Sequence, residues 1–216
     1  MKNKKTYAVL GLGRYGIAVA KELIENGKEV IAVDSNQKIV NDASAYLPVC
    51  KCADVADAEV ISKLGIGSVD TVIICMASNL EASVMAVTLC KEAGAKNVIA
   101  KCANEMQQKI LLRVGADQVV FPENESGVRL AKNLLSSGFI DMISLSKEVS
   151  MVEIDVKEEW IGKNLIELNL RKKYGFNIVA IKKGEKVSVT VNPEQVLDGD
   201  TTLIVIANTA KLVKLK

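Results

Sequence analysis

The sequence has 216 residues and a formal net charge of +2, with its lysines and arginines spread along the chain. Basic residues distributed in this way do not form the concentrated positive patch that is typical of nucleic-acid-binding surfaces, so we expect no nucleic-acid partner. The sequence contains neither a run of apolar residues long enough to span a bilayer nor a signal-peptide pattern after its basic start, MKNKK. Five cysteines and no histidine exclude a standard zinc site and favour a reducing, cytoplasmic compartment.

Strands and helices alternate through the first part of the chain. Apolar strands are predicted at 7–12, 29–34, 48–52, 69–76, 97–102 and 117–121. Helical patterns occupy the segments between them, at 14–27, 37–46, 57–66, 79–94 and 104–115. Strands that are apolar along their whole length are typical of a parallel sheet covered on both faces. The sequence therefore predicts an α/β fold, a Rossmann-type doubly wound parallel sheet.

The pattern changes after Pro122. A helix is predicted over residues 123–143, followed by short strands at 151–156, 177–183, 186–190 and 201–207, with a short helix at 164–170. Turn signals such as KKGEK and LDGD separate these strands. We therefore expect two domains: residues 1–138, a nucleotide-binding domain ending in a crossover helix, and residues 139–216, a small α+β domain.

The motif GLGRYG, at residues 11–16, follows the first strand and opens the first helix. In this setting Gly11 allows the tight turn, Gly13 lets phosphate approach the backbone, and Gly16 lets the helix pack against the sheet. Free N–H groups at the helix start attract phosphate. Asp34, at the end of the second strand, is placed to accept hydrogen bonds from ribose hydroxyls. The segment predicts a bound adenine nucleotide.

Arg14 lies between these glycines, where a dinucleotide enzyme needs no added charge. Its guanidinium can donate to further phosphate oxygens, which favours a nucleotide with an exposed terminal phosphate. The chain has no histidine to serve as a general base, and a second domain of this size offers little room for a substrate cleft. We expect a nucleotide sensor, not an enzyme. The alternatives are an NAD(H)-dependent oxidoreductase and a redox-sensing Rossmann protein with a Cys50–Cys52 switch.

Several motifs together resemble the Ktr/Trk-type regulatory proteins of potassium uptake. They are GLGRYG, VIICMASN at 72–79, NVIAKCAN at 97–104, GADQVVFPE at 115–123 and IELNLRKKYGFNIVAI at 166–181. Proteins of this type consist of RCK amino-terminal and carboxy-terminal domains. The resemblance implies that ATP and ADP compete for the first domain. It assigns these nucleotide-binding residues: Gly11, Gly13, Arg14, Tyr15, Gly16, Asp34, Ser35, Asp54, Ala77, Asn79 and Lys101.

The same resemblance implies two further sites. Glu123, in the FPE segment, would help to hold Mg²⁺ or Ca²⁺ near the nucleotide phosphates. In the second domain, apolar side chains with an arginine and an amide suit a purine-bearing ligand, and related proteins bind cyclic di-AMP there across a two-fold interface. The residues expected to bind cyclic di-AMP are Ile166, Leu170, Arg171, Asn177, Ile178 and Pro193.

The resemblance also implies an assembly. Dimers of the chain would form a cytoplasmic gating ring, expected to have eight subunits, docked beneath a membrane potassium-translocating subunit. Nucleotide binding would bias the ring between two shapes only through the difference in affinity for them. Attachment to the inner face of the membrane would come through that partner.

Overall fold

The structure is a computed structural model that describes residues 5–135, 139–146 and 148–212. It divides into two compact units, the first extending to Glu123 and the second starting at Asn124.

The first unit is built on one parallel sheet. Its six strands have the order β3-β2-β1-β4-β5-β6, and each pairs in parallel with its neighbours. The strands are β1 (Thr6–Leu10), β2 (Glu29–Asp34), β3 (Cys50–Cys52), β4 (Thr71–Ile74), β5 (Val98–Lys101) and β6 (Gln118–Val120). The predicted Rossmann-type doubly wound sheet is confirmed.

Helices connect these strands. They are α1 (Arg14–Glu25), α2 (Gln37–Ala43), α3 (Ala58–Lys63), α4 (Leu80–Glu92) and α5 (Glu105–Arg113), with a 3-10 turn at Ile66–Ser68. Apolar side chains bury both faces of the sheet. One cluster includes Leu10, Val72 and Ile74, and the other includes Val9 and Ala32. Successive residues of one strand thus enter opposite layers, which is why these strands are apolar throughout.

Polar caps start the helices at the carboxyl edge of this sheet. The side chain of Asn36 accepts from the backbone N–H groups of α2, and Asp57, Asn79 and Asn104 do the same for α3, α4 and α5. Such caps satisfy N–H groups that have no partner within the helix. Helix α1 has no side-chain cap, since Gly13 occupies its cap position. No side-chain cap hydrogen bond therefore stands between this helix start and a ligand.

The second unit holds a five-stranded antiparallel sheet of order β10-β9-β11-β8-β7. The strands are β7 (Phe139–Ser144), β8 (Val149–Asp155), β9 (Asn177–Lys183), β10 (Lys186–Ser188) and β11 (Thr201–Asn208). The helices are α6 (Pro122–Leu135), which begins in the first unit, α7 (Leu165–Leu168), α8 (Leu170–Tyr174) and α9 (Thr209–Leu212), with a 3-10 turn at Glu158–Trp160. Its core gathers Trp160, Leu170, Phe176, Leu203 and Val205.

The helix predicted over residues 123–143 is wrong in its last part. Helix α6 ends at Leu135, and the segment from Phe139 forms β7, paired with β8. This segment is a strand because it pairs with β8, where Ile143 lies opposite Met151. Residues 136–138, which the predicted helix and domain boundary cross, lie outside the described residues. Within the described ranges, no helix is long and apolar enough to cross a membrane.

Candidate nucleotide and effector sites

The glycine turn between β1 and α1 shows three different requirements. Gly11 has a φ of +95°, which favours glycine, and a Cβ there would lie 2.8 Å from Met76 Cγ. A Cβ on Gly16 would lie 2.0 Å from the carbonyl oxygen of Gly11, so only glycine lets α1 pack this closely. Gly13 has open space around its missing Cβ. The first and third glycines therefore serve the fold, while Gly13 keeps the start of α1 accessible.

Asp34 holds this turn in place. One oxygen of its carboxylate accepts the backbone N–H of Leu12 at 2.7 Å, and the other accepts that of Asn36 at 2.8 Å. An ionised carboxylate has about four acceptor sites, so two remain for hydroxyl donors. Asp34 thus has a structural role that its position in the sequence did not indicate, and its contact with ribose hydroxyls stays a prediction.

A cavity of about 540 Å³ opens at the carboxyl edge of the sheet, beside the glycine turn. Ligands of open α/β sheets bind at this edge. Six of the predicted nucleotide-binding residues line it: Gly11, Gly13, Asp34, Ser35, Asp54 and Asn79. Five others do not: Arg14, Tyr15, Gly16, Ala77 and Lys101. Gly16 and Ala77 are buried, whereas Arg14 is exposed in the first turn of α1.

The cavity lining is acidic. Three carboxylates contribute to it, from Asp34, Asp54 and Glu81, and none of its described lining residues is a lysine or arginine. Asp54 turns one oxygen toward its own loop, accepting the N–H of Ala56 at 2.9 Å. Such a lining suits the hydroxyls and amines in the nucleoside part of a nucleotide better than the phosphates. Phosphates would therefore have to lie toward the uncapped start of α1.

Lys101 and Glu123 form an ion pair close to this helix start. Lys101 Nζ lies 2.5 Å from Glu123 Oε1 and 5.6 Å from the ring centroid of Tyr15, in the first turn of α1. The lysine side chain is 14% exposed and the glutamate 64%. The hydrogen bond from Lys101 lowers the pKa of the Glu123 carboxyl. The pair therefore brings one positive and one negative charge near the Tyr15 side chain, in the first turn of α1.

The metal role predicted for Glu123 is not tested by these contacts. Among the described residues there is no group of three or more histidine, cysteine or acidic side chains that could hold an ion. Glu123 is engaged with Lys101 instead. A divalent ion at this carboxylate would have to take most of its oxygen ligands from other molecules, such as nucleotide phosphates or water.

The cysteines behave mainly as packing residues. None of the five cysteines, all of which lie in the described ranges, forms a disulfide, and Cys90 and Cys102 are buried. Burial raises the pKa of Cys90 to about 12, and it does the same for Cys75, where the nearby charge of Lys101 opposes the shift. Thiols with such pKa values react slowly. Cys50 and Cys52 do not form a disulfide, and Cys52 Sγ donates to the carbonyl of Ser35 at 3.4 Å.

The second unit has a smaller cavity, of about 250 Å³, between α7, α8 and the start of β9. Four residues predicted to bind cyclic di-AMP line it: Leu170, Arg171, Asn177 and Ile178. Ile166 is 60% exposed on α7 and lies outside the lining, as does Pro193. The Pro193 carbonyl accepts the N–H of Leu165, a lining residue, at 3.1 Å. Ile166 is therefore adjacent in sequence to a lining residue, and Pro193 is hydrogen-bonded to the same residue.

Sequence reasoning missed several lining residues. In the first cavity these include Ile39, Val55, Glu81 and Met85. In the second they are Leu165, Asn169 and Phe176. Asn169 is the one described non-glycine residue with positive φ, at 47°. The NLRKKYG pattern carried a signal for it, because asparagine tolerates this conformation between two short helices.

Comparison with known proteins gives matches to both units. Residues 7–122 match the TrkA-N domain and residues 149–216 match the TrkA-C domain. The chain is 37% identical to the Ktr system potassium uptake protein C of Bacillus subtilis, over 95% of this chain and 93% of that protein. It is 32% identical to the Ktr system potassium uptake protein A of Vibrio alginolyticus, over 98% and 97% of the two.

Solved structures share the fold. The GsuK channel matches with a TM-score of 0.71 and 16% identity, over 99% of this chain. The GsuK RCK domain matches with a TM-score of 0.67 and 16% identity, also over 99% of this chain. The chain spans less than half the length of either, 39% and 47%. The predicted resemblance is confirmed: the chain belongs to the family of TrkA-N and TrkA-C domain proteins that includes the Ktr system potassium uptake proteins.

Proposed function

We propose that this chain is a cytoplasmic, non-enzymatic regulatory subunit of a potassium uptake system, controlled by an adenine nucleotide in its first unit. The observation that carries the proposal is the uncapped start of α1, which opens at Gly13 beside a cavity bordered by Asp34. Family membership supports the potassium-related role, since the relatives are named as potassium uptake proteins. The partner would be a membrane potassium-translocating subunit.

The nucleotide would lie with its base and ribose in the acidic cavity and its phosphates at α1. Asp34 would accept from the ribose hydroxyls with the acceptor sites that its backbone contacts leave open. The N–H groups of α1 would bind phosphate, and Arg14, exposed in the same turn, would reach the terminal phosphate. ATP and ADP would differ in this last contact, which gives the site a means to distinguish them.

Thermal unfolding of the full chain with ATP, ADP, NAD and NADH in parallel tests this assignment. A ligand stabilises the native state according to its affinity for it. We expect a clear rise in melting temperature with ATP and ADP and a negligible rise with NADH. A dominant shift with NADH, together with its turnover, would instead support the oxidoreductase alternative.

For the second unit, we propose cyclic di-AMP as the effector, bound where two copies of this unit meet on a two-fold axis. The cavity lined by Arg171, Asn177 and Ile178 combines a cation, an amide and an apolar wall. Its volume of about 250 Å³ is below the roughly 300–1,000 Å³ typical of sites that enclose a whole ligand of drug size. Half of a symmetric dinucleotide in each of two copies fits that size.

Calorimetry of the full chain with cyclic di-AMP tests this second assignment. We expect one ligand per two chains. A ratio of one per chain, or no heat, would contradict it.

The dimers would assemble further into a ring, for which we propose eight subunits. Light scattering of the chain with and without ATP measures that number.

A further inference from the structure

Lys101 is held in a restricted position. It ends β5, which pairs with β4, and Cys75 directly after β4 is close enough for the Lys101 charge to affect its thiol. Most of the lysine side chain is buried, while its Nζ contacts Glu123 and faces the Tyr15 ring. The ammonium therefore has little freedom to leave the region between the starts of α1 and α6.

This position gives one cation two possible anions. Glu123 is its partner in the structure, at 2.5 Å. The phosphates of a nucleotide at α1 would approach the same ammonium from the side of Tyr15. If Lys101 stays between the two, the carboxylate still cancels much of its charge and repels the phosphate. Glu123 thus opposes phosphate binding whether or not the ion pair breaks.

We propose that Glu123 is an intramolecular competitor for Lys101 that sets how tightly the first site binds phosphate-bearing ligands and how strongly it favours ATP over ADP. This inference rests on the proposed nucleotide site. It predicts that removing the carboxylate tightens binding in proportion to the charge on the ligand. Adenosine, which has no phosphate, should not respond. A role for Glu123 limited to metal binding predicts no tightening when divalent ions are absent.

Calorimetry of the full chain in EDTA tests this, with ATP, ADP and adenosine as ligands. Glu123→Gln should bind ATP about fivefold more tightly than the parent, ADP by a smaller factor and adenosine equally. Glu105→Gln is the matched control, because Glu105 is an exposed acid in the first turn of α5. It should bind like the parent. Glu123→Ser should repeat the effect, and melting of the unliganded variants checks their folding.

A double variant isolates the competition. In the Lys101→Met background, adding Glu123→Gln should tighten ATP binding less than it does in the parent background, because only the direct repulsion between the carboxylate and the phosphate is then relieved. Unchanged or weaker ATP binding by Glu123→Gln and Glu123→Ser would overturn the inference, as would tightening that is equally large without Lys101 or an equal gain for adenosine. If the parent itself binds neither ATP nor ADP, the proposed nucleotide site fails with it, which is a different result.

Discussion

The two candidate sites differ in the charge of the side chains that line them. Three carboxylates and no basic side chain line the described part of the first cavity, whereas Arg171 and no carboxylate line the described part of the second. The ligand proposed for each site carries phosphates, and these negative charges need favourable contacts at both sites. In the first they must come from backbone N–H groups and from cations at the margin, and in the second from a lining side chain. Substitutions should therefore affect the two sites in different ways.

The largest effect should come from the glycine turn, because the first site depends on backbone geometry. Gly16→Ala should destabilise the first unit by about 3 kcal/mol or more, since the new Cβ would meet the Gly11 carbonyl. Gly13→Ala should leave stability nearly unchanged, because open space surrounds that position, but weaken nucleotide binding. Urea unfolding and ATP calorimetry on both variants measure this. Equal stability of the two would show that α1 can move away from the sheet.

The second site should depend on side-chain charge. A charge-assisted contact contributes roughly 1.5–3 kcal/mol, and a two-fold site uses two arginines, so Arg171→Ala should remove measurable cyclic di-AMP binding. Lys172→Ala, an exposed neighbour outside the lining, is the control and should bind normally. Calorimetry compares the two variants. Loss of binding in both would indicate a diffuse effect of positive charge on α8.

Asp34 should contribute to the first site both by holding the backbone turn and by binding the ligand with its side chain. Asp34→Ala should cost about 2 kcal/mol of stability, because the N–H of the buried Leu12 loses its acceptor. It should also weaken ATP, ADP and adenosine by similar factors, since all three present the same ribose. Denaturant unfolding and calorimetry separate the two effects. Full retention of ADP binding at unchanged stability would remove Asp34 from the account.

Arg14 should act on one ligand more than on another. Arg14→Ala should weaken ATP binding by roughly 1.5–3 kcal/mol and ADP binding by less, because the lost contact is with the terminal phosphate. Its exposure predicts unchanged stability. Calorimetry with both nucleotides gives the difference. An equal loss for ATP and ADP would assign Arg14 to the shared phosphates.

The smallest effect concerns pH and lies away from both sites. The N–H of Val98, at 2.6 Å, and then Lys91 hold the pKa of Asp117 below its usual value near 4. A lowered folded-state pKa means that this stabilisation is present at neutral pH and is lost as pH falls through that lowered pKa. Asp117→Asn should therefore be less stable than the parent at neutral pH, with a gap that narrows on acidification. Urea unfolding at several pH values tests this, and a constant gap would contradict it.

Local patterns in the sequence were enough to predict the first sheet but not the whole second unit. Apolar strands and the GLGRYG motif depend mainly on local sequence, so short segments were enough to predict β1, α1 and the position of Asp34. Strand β7 did not, because its pairing partner β8 decides it. The Lys101–Glu123 ion pair escaped prediction for a similar reason. It joins the end of β5 to the start of α6, and the pairing register of β5 with β6, not spacing in the sequence, brings these two points together.

A crystal structure of the full chain with bound ADP tests the proposed nucleotide site. We expect the ribose against Asp34, the base in the cavity between β2 and β4, and the phosphates at the uncapped start of α1. We also expect that Glu81 and Asp54 do not contact the phosphates. Phosphates lying among those carboxylates, or ADP bound elsewhere on the chain, would contradict it.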